Sequence, residues 1–167
     1  MSAAFPIIKK AALDAAVETS DYIQLFIGKY HELLSSDPTG QIQNQFTAEQ
    51  NILMAFNILD GQVCKGGFIQ LIENGYGSYI FDTPLSDYLR DWGASTTADV
   101  IDQAAILYYQ KKDILEREKT LEEFVKMYQE HLEFEPLDDT FLQIIDRDRE
   151  IIKDYIQRNL KAFAIVE

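Results

Sequence analysis

The 167-residue chain has one cysteine (Cys64), two histidines, four prolines and one tryptophan, and its 15 Lys and Arg residues face 28 Asp and Glu. A lone cysteine excludes an internal disulfide framework and fits a reducing compartment. The histidines stand in ordinary helix-surface contexts, Tyr30-His31-Glu32-Leu33 and Glu130-His131-Leu132-Glu133. Neither supplies a recognisable base for a Ser, Thr or Cys nucleophile. Gly75-Tyr76-Gly77-Ser78-Tyr79 lacks the symmetric flanks of a Gly-x-Ser-x-Gly elbow. No His-Glu-x-x-His or Cys-x-x-Cys pair is present, so His131 with Glu135, Asp138 and Asp139 does not amount to a zinc site. Asp146, Asp148 and Glu150 lack the central glycine of a calcium loop. The opening Met-Ser-Ala-Ala-Phe-Pro shows no basic n-region or apolar h-region, and no long uncharged apolar run follows. These scarcities set the expectations: a cytoplasmic protein with no catalytic residues, no metal, no cofactor and no membrane contact.

The shortage of cations has its own consequence. A formal net charge of −13 repels nucleic acid and anionic lipid and favours basic partners, so direct nucleic-acid binding is excluded from the reading. The charge is uneven: residues 113 to 154 hold 14 acids and 6 bases, a quarter of the chain carrying −8 of the −13.

What the chain does have is core material: 47% hydrophobic residues, with ten Phe and nine Tyr. At this length a domain buries roughly 70% of its unfolded surface and needs no staples. Apolar spacing is helical almost throughout. Tyr22, Phe26, Tyr30 and Leu33 share one face, Thr47-Ala48-Glu49-Gln50 and Thr120-Leu121-Glu122-Glu123 read as capping boxes, and Thr83-Pro84 opens a helix closed by Gly93. We expect one all-α domain over residues 1–167, a bundle of about seven to eight helices. An N-terminal helical hairpin would occupy 1–35, with helices from Pro6 to Val17 and Asp21 to Leu34. A linker would follow at 36–46, then a core at 47–164 whose last helix runs from about Asp138 to Ala162. Glu135-Pro136 is read as a helix exit and Tyr76 to Phe81 as the one short extended piece. The stripe of Phe141, Ile144 or Ile145, Ile151 or Ile152, Tyr155 and Phe163 passes through or beside Asp148, which therefore needs either a donor or a marginal position.

Lys65-Gly66-Gly67-Phe68-Ile69-Gln70-Leu71-Ile72-Glu73-Asn74 is the most particular stretch. Paired glycines permit a sharp turn and close backbone approach, and Asn74-Gly75 offers left-handed residues that stop a helix. Gly66, Gly67, Phe68 and Asn74 are therefore read as a structural motif, with close packing preferred over an anion cradle, and Cys64 beside it as a small core filler. This segment, the helix ending at Trp92-Gly93-Ala94, the long helix from Thr96 to about Arg117, and the later Leu137-Asp138-Asp139-Thr140-Phe141 and Tyr155-Ile156-Gln157-Arg158-Asn159 resemble a bacterial family of small acidic helical proteins. That family is largely a domain-of-unknown-function family, and its best-known member is a DNA mimic. The resemblance covers the chain from about residue 47. It implies a helical fold and occupation of the DNA-binding face of a basic protein through scattered acids.

The residues themselves point to the same acids. On a helix, residues four apart have Cβ atoms roughly 5–6 Å apart, so Asp146, Glu150 and Asp154 would form a row of negative charge, as would Glu118 with Glu122 if the helix is continuous there. Such rows approach the charge density of a nucleic-acid backbone. The candidate partner-binding surface is Glu116, Glu118, Glu122, Glu123, Glu130, Glu133, Glu135, Asp138, Asp139, Asp146, Glu150 and Asp154, and the candidate partner is a basic DNA-binding protein. The alternative is a structural or assembly role, in which helix packing around the Gly-Gly-Phe face, or exposed aromatics, makes a homodimer or larger homo-oligomer and the charge serves solubility.

Overall fold

The computed structural model describes residues 2–167. Eight α-helices dominate: α1 Lys10–Ala15, α2 Thr19–Ser35, α3 Ala48–Glu73, α4 Gly77–Phe81, α5 Leu85–Trp92, α6 Ser95–Leu115, α7 Leu121–Glu130 and α8 Glu135–Arg158. The class is all-α, and the one sheet among the described residues is a parallel pair of two-residue strands, β1 Ile7–Ile8 and β2 Ile165–Val166. The chain divides into two compact units. The terminal unit takes the described residues up to Asn57 together with Arg149–Glu167, and the central unit takes Ile58–Asp148.

The terminal unit is built on aromatic packing. α2 buries Tyr22, Phe26 and Tyr30, and the Phe26 ring meets the edge of Phe163 at 6.2 Å between centroids. The Tyr30 hydroxyl donates to the Phe163 carbonyl at 3.0 Å, and burial holds its pKa well above that of a solvated phenol. The capping box read from Thr47 and Gln50 is present: the Gln50 N–H donates to the Thr47 hydroxyl at 3.1 Å, and the Thr47 N–H donates to the Gln50 amide oxygen at 2.7 Å. The amide nitrogen of fully buried Gln50 donates onward to Ala4 and Phe163 carbonyls. The expected helix over Pro6 to Val17 is shorter, because Ile7 and Ile8 pair with Ile165 and Val166. A partner far along the chain overrides local helical spacing there.

In the central unit, α5 and α6 pack against each other across the turn at Gly93, burying Leu85, Leu89 and Trp92 of α5 and Ala98, Ile101 and Ala104 of α6. Phe68 is fully buried, with its ring 6.1 Å from Phe141 and 6.4 Å from Phe81. Two expectations are corrected here. Tyr76 to Phe81 is not extended but largely the short helix α4, since Gly75 closes the preceding helix with φ +85 and leaves Gly77 free to start a new one against the Tyr108 ring. Pro136 does not end a helix but sits in the first turn of α8, where its missing N–H has no intrahelical acceptor to lose. Cys64 is also exposed rather than a core filler, its thiol donating to Asp60 at 3.2 Å.

Candidate acidic interaction surface

The geometry begins at the glycine pair. Gly67 adopts φ +76 and ψ −176, open in practice only to glycine, and breaks α3 into two helical segments. The break leaves the amide of Phe68 at the start of a helix segment, without an intrahelical acceptor. The carboxylate of Asp138 accepts that N–H at 2.8 Å, so an acid of α8 caps a segment seventy residues away. Burial raises its pKa to about 6, in spite of the favourable N–H. A Cβ on Gly67 would lie 2.3 Å from an Asp138 oxygen, so the glycine and the aspartate fit only each other. Tyr128 of α7 seals the same corner by donating its hydroxyl to the Gly66 carbonyl at 3.0 Å. The left-handed residue at the far end is Gly75 alone. Asn74 instead donates its side-chain amide to Gln62 at 2.7 Å.

A second acid of α8 turns inward in the same way. Asp148 is completely buried, and one of its oxygens accepts from the Thr97 N–H at 2.9 Å and the Thr97 hydroxyl at 2.6 Å. Thr97 lies in the first turn of α6, whose N-cap is Ala94 and has no side chain to satisfy those amides. Arg147 donates to the other carboxylate oxygen at 3.2 Å while reaching the Thr96 hydroxyl at 2.8 Å. The donor required of a buried Asp148 is thus present twice over.

Around α7 the acids are used differently. Thr120 and Glu123 complete the capping box read from the sequence, the Thr120 hydroxyl accepting from the Glu123 N–H at 3.2 Å and the Glu123 carboxylate from the Thr120 N–H at 2.9 Å. The connector before it is tied down by Lys119, whose side chain is only 2% exposed and whose ammonium donates to the Leu115 and Arg117 carbonyls while pairing with Glu73 at 3.0 Å. A base is thereby withdrawn from the surface, while Glu118, Glu122, Glu130, Glu135 and Asp139 remain exposed. Glu116 is exposed and accepts the Tyr108 hydroxyl. Glu133 is half-buried and ion-paired with Lys111. His131 is buried at the end of α7 and not on a helix surface as its sequence context suggests; Lys111 sits 3.3 Å from its Nδ1, and burial first, then this ammonium, lowers its pKa.

Of the twelve candidate acids, Asp138 departs most from an outward-facing carboxylate, and Glu133 is largely spent on Lys111. Asp146 is exposed on α8, and Glu150 and Asp154 are exposed on the part of α8 that belongs to the terminal unit. Sequence reasoning missed a further group: exposed Asp82, Asp87, Asp91, Asp99 and Asp102, three of which gather on Arg90 at 3.6 Å (Asp87), 3.1 Å (Asp99) and 2.7 Å (Asp102). The available signal was the Trp92-Gly93-Ala94 turn, which folds α6 back along α5.

Against known proteins, the family model described as DMP19-like protein matches residues 44–159. The chain belongs to the DMP19-like family. A curated relative, the DNA mimic protein DMP19 of Neisseria meningitidis serogroup B (strain ATCC BAA-335 / MC58), is 38% identical over 120 residues, which span 70% of this chain and 71% of that protein. Every candidate acid, the glycine pair and its Asp138 cap fall inside the DMP19-like match. No helix among the described residues is long and apolar enough to cross a membrane, and no group of three or more His, Cys, Asp or Glu among them could hold a metal ion.

Proposed function

We propose that this protein is a non-enzymatic, cytoplasmic DNA mimic that occupies the DNA-binding surface of a basic protein. The observation that carries the reading is the imbalance of the segment around α7. Glu118, Glu122, Glu130, Glu135 and Asp139 project into solvent, whereas Lys119 is buried against carbonyls and Lys126 lies beside Glu122 at 3.6 Å. A surface of this kind offers carboxylate oxygens to Lys and Arg that evolved to hold phosphates. The relative named as a DNA mimic supports the same reading. Because the contact is made of many screened charge pairs, it should weaken steeply with salt and exclude DNA from the partner.

The test is competition. Proteins retained by this chain from its native lysate at low salt, and released at about 0.5 M salt where the screening length is only a few ångström, are purified and titrated with labelled duplex DNA in the presence of this protein. Mutual exclusion supports mimicry. Simultaneous binding of DNA and this protein to the same partner, at every salt concentration, removes it.

A further inference from the structure

α7 carries more apolar surface than its packing uses. Its inward face is Met127, buried, with Phe124 half-buried beside it. A helix with one face on a core is expected to be polar elsewhere. Leu121, Val125 and Tyr128 instead recur at a spacing of four and three residues, one stripe of the helix, and Leu132 follows a turn later. Leu121 is 79% exposed, Val125 55% and Leu132 56%, with Tyr128 less open because its hydroxyl reaches Gly66. Single exposed leucines are ordinary, but an ordered stripe marks a contact surface. Glu122 stands in the neighbouring row of the same helix, and Glu118 lies just before its first turn.

We propose that this stripe docks a basic amphipathic helix, its leucine and valine taking the helix's apolar side chains while Glu118 and Glu122 take its Lys or Arg. The acidic frame decides the occupant. A second copy of this chain would bring the same carboxylates against themselves in a two-fold contact, whereas a basic partner is attracted by them. DNA readers also present both chemistries, cationic groups for phosphate and apolar groups for the thymine methyl. The inference thus rests on the proposed function for the basic character of the partner and adds an apolar component to it. The stripe supplies what charge cannot: affinity that survives salt, and choice among partners of equal charge.

The probes are two synthetic helical peptides of identical Lys and Arg content, one with leucines along a single face and the other with serines in those places. Each is titrated into the labelled full chain at about 0.05 M and about 0.5 M NaCl. The leucine peptide should bind about tenfold tighter and keep measurable binding at the higher salt, and the double variant Leu121→Ser with Val125→Ser should bring the two peptides level. Leu121→Met with Val125→Ile should keep the preference, which separates loss of the apolar surface from loss of fold. Equal binding of both peptides to the unaltered chain overturns the stripe while leaving acid-driven mimicry standing. Binding of neither at low salt overturns the stripe and counts against the basic partner as well. Dimerisation of the unaltered chain that Leu121→Ser with Val125→Ser abolishes would assign the stripe to a second copy and also overturn the proposal.

Discussion

Helices α7 and α8 are both rich in acids, yet of the two only α8 turns acids into the interior of the central unit. α8 turns Asp138 and Asp148 inward, where each accepts the orphan N–H of a helix start that its own sequence leaves uncapped: Phe68 after the Gly66-Gly67 break, and Thr97 two residues into α6. α7 keeps Glu122 and Glu130 outside, with the capping carboxylate of Glu123 settled at its own N-terminus. Negative charge is therefore not one property of this protein but two. An inward acid acts through the fold, and its removal should be read as stability. An outward acid contributes little to the fold, and its removal should be read in binding.

The largest effect should come from the position where fold and acid meet. Gly67→Val places a β-branched side chain at φ +76 and drives its Cβ into the Asp138 carboxylate. Backbone strain and overpacking together should cost about 4 kcal/mol, measured by urea denaturation. A variant as stable as the parent would break the link between the glycine pair and α8.

Asp148→Ala comes next. It leaves the Thr97 amide and hydroxyl buried without an acceptor and removes the anionic partner of Arg147, for an expected loss of about 3 kcal/mol. Asp148→Asn keeps an acceptor and should recover part of it. If the alanine variant loses no more stability than a substitution at exposed Asp139, the inward and outward classes do not differ.

Asp138 sharpens the comparison through pH. Its pKa rises on folding, from an ordinary carboxylate value near 4 to about 6. Folding therefore binds the proton more tightly: the contribution is fully present below about pH 4 and is lost as pH rises through about 6. Stability should fall across that window. Asp138→Asn, whose carbonyl can still accept from the Phe68 N–H, should flatten the fall, and Asp138→Ala should flatten it while losing the cap, worth about 1 kcal/mol. An unchanged pH profile of thermal midpoints in both variants would place the titration elsewhere.

How much of this was legible in the sequence follows from separation along the chain. The capping boxes at Thr47 and Thr120 close over three residues, and side-chain chemistry at that spacing is set by the helix itself, so both were readable. The Gly-Gly-Phe motif was readable as a backbone break, because the paired glycines mark it. Its partner was not: Asp138 sits among other acids of the first turn of α8, and only packing decides that it points inward while Asp139 points out. The same holds for Arg90, whose meeting with Asp99 and Asp102 depends on the α5–α6 turn, and for the β1–β2 pair, which converts a helical-looking Ile7–Ile8 into a strand. Asp148 is the intermediate case. Its place in an apolar stripe announced that a donor must exist, and the fold supplied Thr97 and Arg147.

The smallest effect on the fold should come from α7 and its connector, and there the choice of residues matters. Glu123 is unsuitable for a charge reversal, because its carboxylate accepts the Thr120 N–H and its replacement would weaken the cap as well as the surface. Glu118, Glu122 and Glu130 are all exposed, and the contact of Glu122 with Lys126 is a long solvent-exposed ion pair at 3.6 Å. Exchanging all three for Lys should change stability by no more than about 0.5 kcal/mol per site, since exposed pairs contribute little and the like-charge crowding is relieved. Under the proposed function the same exchange should remove binding to a DNA-displaceable basic partner, because three attractive charges become repulsive at one surface. The decisive measurement is the pair taken together, urea midpoint and competition with duplex DNA on the same triple variant. A triple variant that keeps its fold and still displaces DNA would place the partner contact away from α7, with the exposed aspartates on α5 and α6 the next surface to reverse.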